Sequence, residues 1–189
     1  MQTPFIVEIS AKHIHITEDH FKILFGSDAS LTKKKDLSQP GQYACEERLD
    51  VVGTKRTLKN VIILGPFRPA TQVELSVTDC LTAGITAPIR ESGDIAGSGA
   101  CTLVGPAGEV EISEGVIVAK RHIHMTGDFA AKTNVTDNQI VKVRVESEAR
   151  TTIFDDVVVR VSNSFSPAMH IDTDEGNAAF GGREGIIVP

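Results

Sequence analysis

The chain has 189 residues, enough for one medium domain or two small ones sharing an interface, and fewer than the roughly 250 of a typical TIM barrel. Its 19 Lys and Arg against 25 Asp and Glu give a formal charge of −6, which argues against a general nucleic-acid or anionic-membrane binder, because either calls for a basic surface. Neither an apolar N-terminal leader nor an apolar run of membrane-spanning length occurs, and the three cysteines, Cys45, Cys80 and Cys101, are odd in number and widely spaced, so a soluble cytoplasmic protein with reduced thiols is expected.

In chain order, short runs rich in Val, Ile and Thr alternate with turn residues. They are PFIVEIS (4–10), LDVVGT (49–54), NVIILG (60–65), QVELSV (72–77), GACTLVG (99–105) and EVEIS (109–113), then GVIVAKRHIH (115–124), QIVKVRVE (139–146), TTIF (151–154), DVVVRVS (156–162) and MHIDT (169–173). Many short strands at this spacing point to small barrels or a sandwich. Two helices stand out, TEDHFKILFG, which Thr17 can cap and whose first turn carries Glu18 and Asp19, and its counterpart TGDFAAKTN from Thr126. The KKK at 33–35 reads as a solvated loop. RESGDIAGSG (90–99) matches neither GxGxxG nor GxxxxGK[ST], and reads as a flexible connection between halves.

Four of the six histidines sit in one pattern written twice. AKHIHIT (11–17) and KRHIHMT (120–126) place His13 and His15 against His122 and His124, at a constant separation of 109 residues (122 − 13 and 124 − 15). Further on, NVIILGPFRPATQVELSVTD (60–79) aligns with DVVVRVSNSFSPAMHIDTDE (156–175) at a separation of 96, which sets Glu74 against His170 (170 − 74). Each half thus supplies HxH and one more ligand-type residue, so the chain reads as a duplicated β-unit, residues 1–92 and 93–189 with an approximate boundary. Residues i and i+2 of a strand share a face, so each histidine pair can converge on one ion while Ile14 and Ile123 turn to the other side. Three N or O ligands with one open position is the arrangement of a catalytic zinc site. His20 has no counterpart, Phe129 taking its place, and reads as a surface or helix residue. Arg68, in the Gly/Pro-rich turn GPFRP six residues before Glu74, is either an exposed turn arginine or a forked donor for phosphate or carboxylate.

The set SAKHIHIT, LGPFRPATQVELSVTDC, SGDIAGSG, AKRHIHMT and MHIDTDEGNAAF, in this order from about residue 7 to about 180, resembles the PduL-type phosphotransacylases, also called phosphate propanoyltransferases. The resemblance implies a mainly β fold, two small closed barrels flanked by short helices with a dinuclear zinc site at their junction. It implies interconversion of acyl-CoA and inorganic phosphate with acyl phosphate and CoA, the acyl group being propanoyl or acetyl. By motif, His13, His15 and Glu74 hold one zinc ion and His122, His124 and His170 the other. Arg68 becomes the catalytic, phosphate-positioning arginine, and Ile9, Ser10 and Asn177 line the CoA pocket. A homodimer is expected. Members of microcompartments carry an amphipathic N-terminal extension, whereas this chain begins twelve residues before His13, so a cytoplasmic enzyme is expected, or a microcompartment enzyme if the N-terminus was trimmed. No cysteine has a histidine partner in sequence, which favours direct transfer over an acyl-enzyme. The rival reading is a cupin-like or other metal-binding β-barrel without acyl transfer. Cupins also set HxH on strands, but want a Glu three or four residues later, where here Glu18 follows too soon.

Overall fold

The computed structural model describes residues 3–189. Its elements in chain order are β1 (Phe5–Ser10), β2 (His13–His15), α1 (Glu18–Phe25), β3 (Lys33–Asp36), β4 (Tyr43–Val52), β5 (Thr57–Gly65), β6 (Gln72–Glu74), α2 (Val77–Ala83), β7 (Ile89–Arg90) and β8 (Gly99–Val104). There follow β9 (Glu109–Ala119), β10 (His122–Met125), α3 (Gly127–Thr133), β11 (Ile140–Glu146), β12 (Thr152–Val161), β13 (Ala168–Asp172), α4 (Thr173–Ala178) and β14 (Glu184–Val188). No helix among the described residues is long and apolar enough to cross a membrane.

The chain forms two compact units. One, here the C-unit, takes the chain up to Ala11, Ser38–Pro40 and Lys120–Pro189; the other, the N-unit, takes Lys12–Leu37 and Gly41–Ala119. In the C-unit the strands close in the order β1-β13-β10-β12-β11-β14, with β14 antiparallel to β1. In the N-unit, β4-β5-β2-β6-β9 is closed by β8, which pairs with both β9 and β4, while β3 and β7 are appended to β4 and β9. The two six-stranded barrels share one topology. β2 lies between parallel β5 and antiparallel β6, and β10 lies between parallel β12 and antiparallel β13.

The units are not contiguous halves. β1 runs into β2 along the chain yet pairs in the C-unit, and β9 runs into β10 yet pairs in the N-unit. The repeat therefore divides in the turn between β8 and β9, and the boundary expected near 92 falls inside the N-unit. Hydrophobic patterning could not show this, because both strands would alternate identically in either barrel.

Alternation along the strands builds both cores. Ile14 and Ile123 are 0% exposed, and pack with Phe21, Leu24, Ile63 and Leu103 in one barrel and with Val143, Phe154, Val159 and Met169 in the other. Immediately after each HIH strand, Thr17 or Thr126 ends the sheet and starts a helix, its hydroxyl accepting the amide of His20 or Phe129. Ser76 and Asp172 do the same for two helices that the sequence pattern did not reveal, α2 and α4, the latter with a full capping box to Glu175. Residues 151–154 and 156–162 form one strand rather than two. Asp156 there adopts φ 54°, as Asn60 does at φ 57° in β5, and the two are 96 apart (156 − 60). Asx side chains tolerate this left-handed conformation, so the kink recurs at equivalent places. The lysine run expected as a loop is β3, an exposed strand beside β4, where charge discourages edge-to-edge association.

Truncating the buried centre of the HIH strand tests the inward role of its isoleucine. Ile123→Ala is expected to lower unfolding free energy by about 2–5 kcal/mol, through lost burial and the cavity left behind, measured by urea denaturation.

Candidate functional site

With Ile14 and Ile123 facing inward, the flanking histidines face the outer side of each barrel, where the adjacent strand supplies the third group. His13 is the direct antiparallel partner of Glu74, and His122 that of His170. Each trio offers one donor atom per residue, and the three atoms of a trio lie within 4.8 Å of one another. The separation of 96 that set Glu74 against His170 in sequence is thus also a structural equivalence.

In the N-unit all three residues are buried. His13 Nε2 is 3.3 Å from Glu74 Oε2 and His15 Nε2 is 3.8 Å from Glu74 Oε1. Ligands about 2.0–2.1 Å from a tetrahedral ion stand roughly 3.3 Å apart, so this trio is close to coordinating geometry. Glu74 Oε1 also accepts from Gln72 Nε2 at 2.6 Å and from the Ser92 hydroxyl at 2.9 Å. Ser92 accepts in turn from Arg68 Nη1 at 3.1 Å, while Gln72 Oε1 takes the Gly93 amide at 2.8 Å. Arg68 and Glu74 are therefore linked through one hydroxyl. The stretch 90–99, expected as a mere connection, is tied to the site by Ser92 and Gly93.

The C-unit trio is more open, His122 and His170 being half-buried and His124 buried. His122 Nδ1 donates to the Lys120 carbonyl at 2.9 Å, which fixes its tautomer and turns Nε2 outward. The Glu8 carboxylate, paired with His170 in the β1–β13 register, stands 3.6 Å from His170 Nδ1. Phe165 packs against His124 with ring centroids 4.3 Å apart.

Electrostatics favours cation binding at both trios. Burial, with help from His13 and Arg68, holds the His15 imidazole down at about 3, and burial with His122 and His170 holds His124 at about 3, so both rings are neutral and carry a lone pair at physiological pH. Burial alone would push the Glu74 carboxyl up, but His13, His15 and the Ser92 hydroxyl keep it well below the usual carboxylate range, and hence ionised. Nδ1 of His15 and of His124, again 109 apart (124 − 15), is buried without a hydrogen-bond partner. Two histidine nitrogens with a carboxylate, and three histidine nitrogens, are donor sets that suit zinc.

The remaining expected residues fall as follows. His20 lies on α1 with its Nδ1 2.8 Å from the Thr71 hydroxyl, which also accepts the Thr17 amide, so it braces the HIH corner. Ile9, Ser10 and Asn177 are brought to one end of the C-unit. Ser10 pairs with Asp172, the cap of α4, on which Asn177 is exposed. A Cβ on Gly176 would come within 2.6 Å of Ile9, so glycine is what lets α4 settle against β1. The three cysteines are unoxidised and buried, and burial pushes the Cys45 thiol up to about 11 and Cys101 up to about 12.

A family model described as phosphate propanoyltransferase matches residues 6–181. The chain belongs to the phosphate propanoyltransferase family. It is 54% identical to the phosphate propanoyltransferase of Sebaldella termitidis over 92% of this chain and 82% of that protein. The corresponding proteins of Listeria monocytogenes (50% identical, 98% of this chain, 86% of that one) and Thermotoga maritima (47%, 93% and 83%) are similar to it over comparable lengths. Membership of the phosphate propanoyltransferases makes the chain a phosphate acyltransferase, and replaces the cupin-like alternative.

The depressed histidines generate a pH prediction for the metal-free protein. Below about 6.5 the unfolded chain takes up protons at His15 and His124 that the folded chain refuses until about 3, so stability is lost as pH falls through that window. The melting temperature of metal-free protein is expected to drop between pH 7 and pH 5, with the NMR shifts of these two rings unchanged over the same interval.

Proposed function

We propose that this phosphate propanoyltransferase family member interconverts a short-chain acyl-CoA, propanoyl or acetyl, and inorganic phosphate with acyl phosphate and CoA by direct transfer. In this reading two zinc ions are held by His13, His15 and Glu74 and by His122, His124 and His170. The observation that carries it is the duplicated trio, three convergent donors in each barrel at equivalent register positions. Bound zinc supplies Lewis acidity toward oxygen and affinity for sulfur.

The chain's own groups have separable tasks. Glu74, anchored by Gln72 and Ser92, brings negative charge to one trio. His122, set by the Lys120 carbonyl, presents a fixed lone pair at the other. Arg68, with Nη1 on Ser92 and its charge close enough to depress His15, orients the phosphate nucleophile and lowers its repulsion from the CoA phosphates. Phosphate then attacks the thioester carbonyl, the carbon–sulfur bond breaks, and CoA leaves as the thiolate. The raised thiol pKa values and burial of Cys45 and Cys101 support a route with no cysteine acyl-enzyme.

Elemental analysis of purified protein is expected to give two zinc ions per chain, with thiol release from propanoyl-CoA or acetyl-CoA dependent on phosphate. His122→Ala should lose one ion and most activity; two tightly held ions and full turnover would remove His122 from the trio. For the direct route, labelled CoA should not exchange into acyl-CoA without phosphate, whereas an acyl-enzyme would catalyse that exchange. Arg68→Ala is expected to raise the phosphate KM about tenfold or more with metal content unchanged, and unaltered phosphate kinetics would take Arg68 out of the site.

A further inference from the structure

Gln39 lies in the three-residue segment Ser38–Pro40, which belongs to the C-unit although its sequence neighbours on both sides belong to the N-unit. It is 5% exposed, deep burial for a glutamine. Its amide is held from both ends by one backbone residue. Nε2 donates to the Ser166 carbonyl at 3.1 Å, and Oε1 accepts the Ser166 amide at 3.3 Å. A primary amide has two N–H groups, so one remains after Ser166 is served. Nε2 also lies 3.4 Å from Nε2 of His170. The second N–H is therefore the one directed toward Nε2 of His170, while Glu8 stands near Nδ1 on the opposite edge of the ring.

This arrangement has a consequence that rests on the zinc reading above. When the lone pair of His170 Nε2 is given to a cation, it no longer accepts from Gln39, and the buried N–H is left without an acceptor. A buried donor in that state is costly, and Gln39 cannot rotate away without breaking both bonds to Ser166. The cost disappears if an anionic oxygen arrives beside the three histidines, where a charge-assisted hydrogen bond is stronger than the one given up. We propose that Gln39 is a catalytic residue that donates through Nε2 to an oxygen of the phosphate group engaged at the His122–His124–His170 trio. The amide serves as a fixed, uncharged donor. Ser38 and Pro40 on either side, and the paired bonds to Ser166, hold it in place, so no reorganisation is needed as negative charge arrives.

The test compares wild type with Gln39→Met, which keeps side-chain volume and removes both amide groups, and Gln39→Glu, which keeps an oxygen able to accept from Ser166 but lacks the N–H. Three readouts are taken on the zinc-loaded protein: zinc per chain, inorganic phosphate binding by calorimetry, and the kinetic constants for phosphate and for acyl-CoA. The expected result is two zinc ions in all three proteins, phosphate affinity reduced about ten- to hundredfold in both variants, and a matching loss in kcat/KM for phosphate, with the acyl-CoA KM within about twofold. Phosphate affinity unchanged in either variant that keeps both ions would overturn the proposal. Loss of one ion in both variants would also overturn it, making Gln39 a support for His170 rather than a donor to substrate. Wild-type protein that binds phosphate and turns over without zinc would instead overturn the zinc reading, and would show before any variant is made.

Discussion

Everything at the site depends on the two-residue period of a β-strand. In His-Ile-His the isoleucine is taken into the core, and that burial commits both histidines to the opposite face. Slipping the register by one residue would put a single isoleucine outside and two imidazoles into hydrocarbon. The same apolar contacts that stabilise each barrel therefore also aim its two histidines, and the third member of the trio follows because Glu74 or His170 is the direct cross-strand partner. The threonine that caps the following helix ends the strand at once, so the histidines sit at a corner rather than within a flat sheet.

The duplicated frame carries unequal chemistry. Register places Gln72 where the other barrel has Ala168, each opposite the second histidine of its pair, and places Ile117 where the other has Glu8. Beyond the histidines, Arg160 pairs with His124 in the C-unit barrel. The N-unit trio includes an ionised, buried carboxylate whose Oε1 accepts from Gln72 and Ser92. The C-unit trio contains no carboxylate and is more open, so a divalent cation there would keep more of its charge for an incoming anion. Barrels of one topology thus carry two different sets of charged groups.

The convergence of each trio is legible in the sequence because two independent signals meet on it, the alternation and the repeat. The separation of 96 pairs Glu74 with His170 in the sequence, and the strand register sets them at equivalent places. What stayed hidden has physical reasons. Gln39 lies 131 residues from His170 along the chain, and no local pattern marks so distant a partner. Gln72 shares its face with Glu74 by the i, i+2 rule and could have been found, but a buried glutamine in an apolar run does not announce itself. Ser92 sat in a Gly-rich stretch whose composition suggested a tether. Helix α2 was concealed because QVELSV continues the strand alternation, and only the Ser76 hydroxyl turns the chain into a helix.

The exchange of β1 and β9 has an implication for how such a molecule arose. A single copy of the repeat holds five strands of its own barrel and a sixth that closes another. A protein made of one repeat could complete its barrel only by receiving that strand from a second molecule while lending its own. Such a precursor would have been a symmetric domain-swapped dimer before its gene was duplicated and fused. Fusion released the two copies from the requirement to be identical. The two copies in this chain do differ at the third position of the trio, Glu74 in one and His170 in the other.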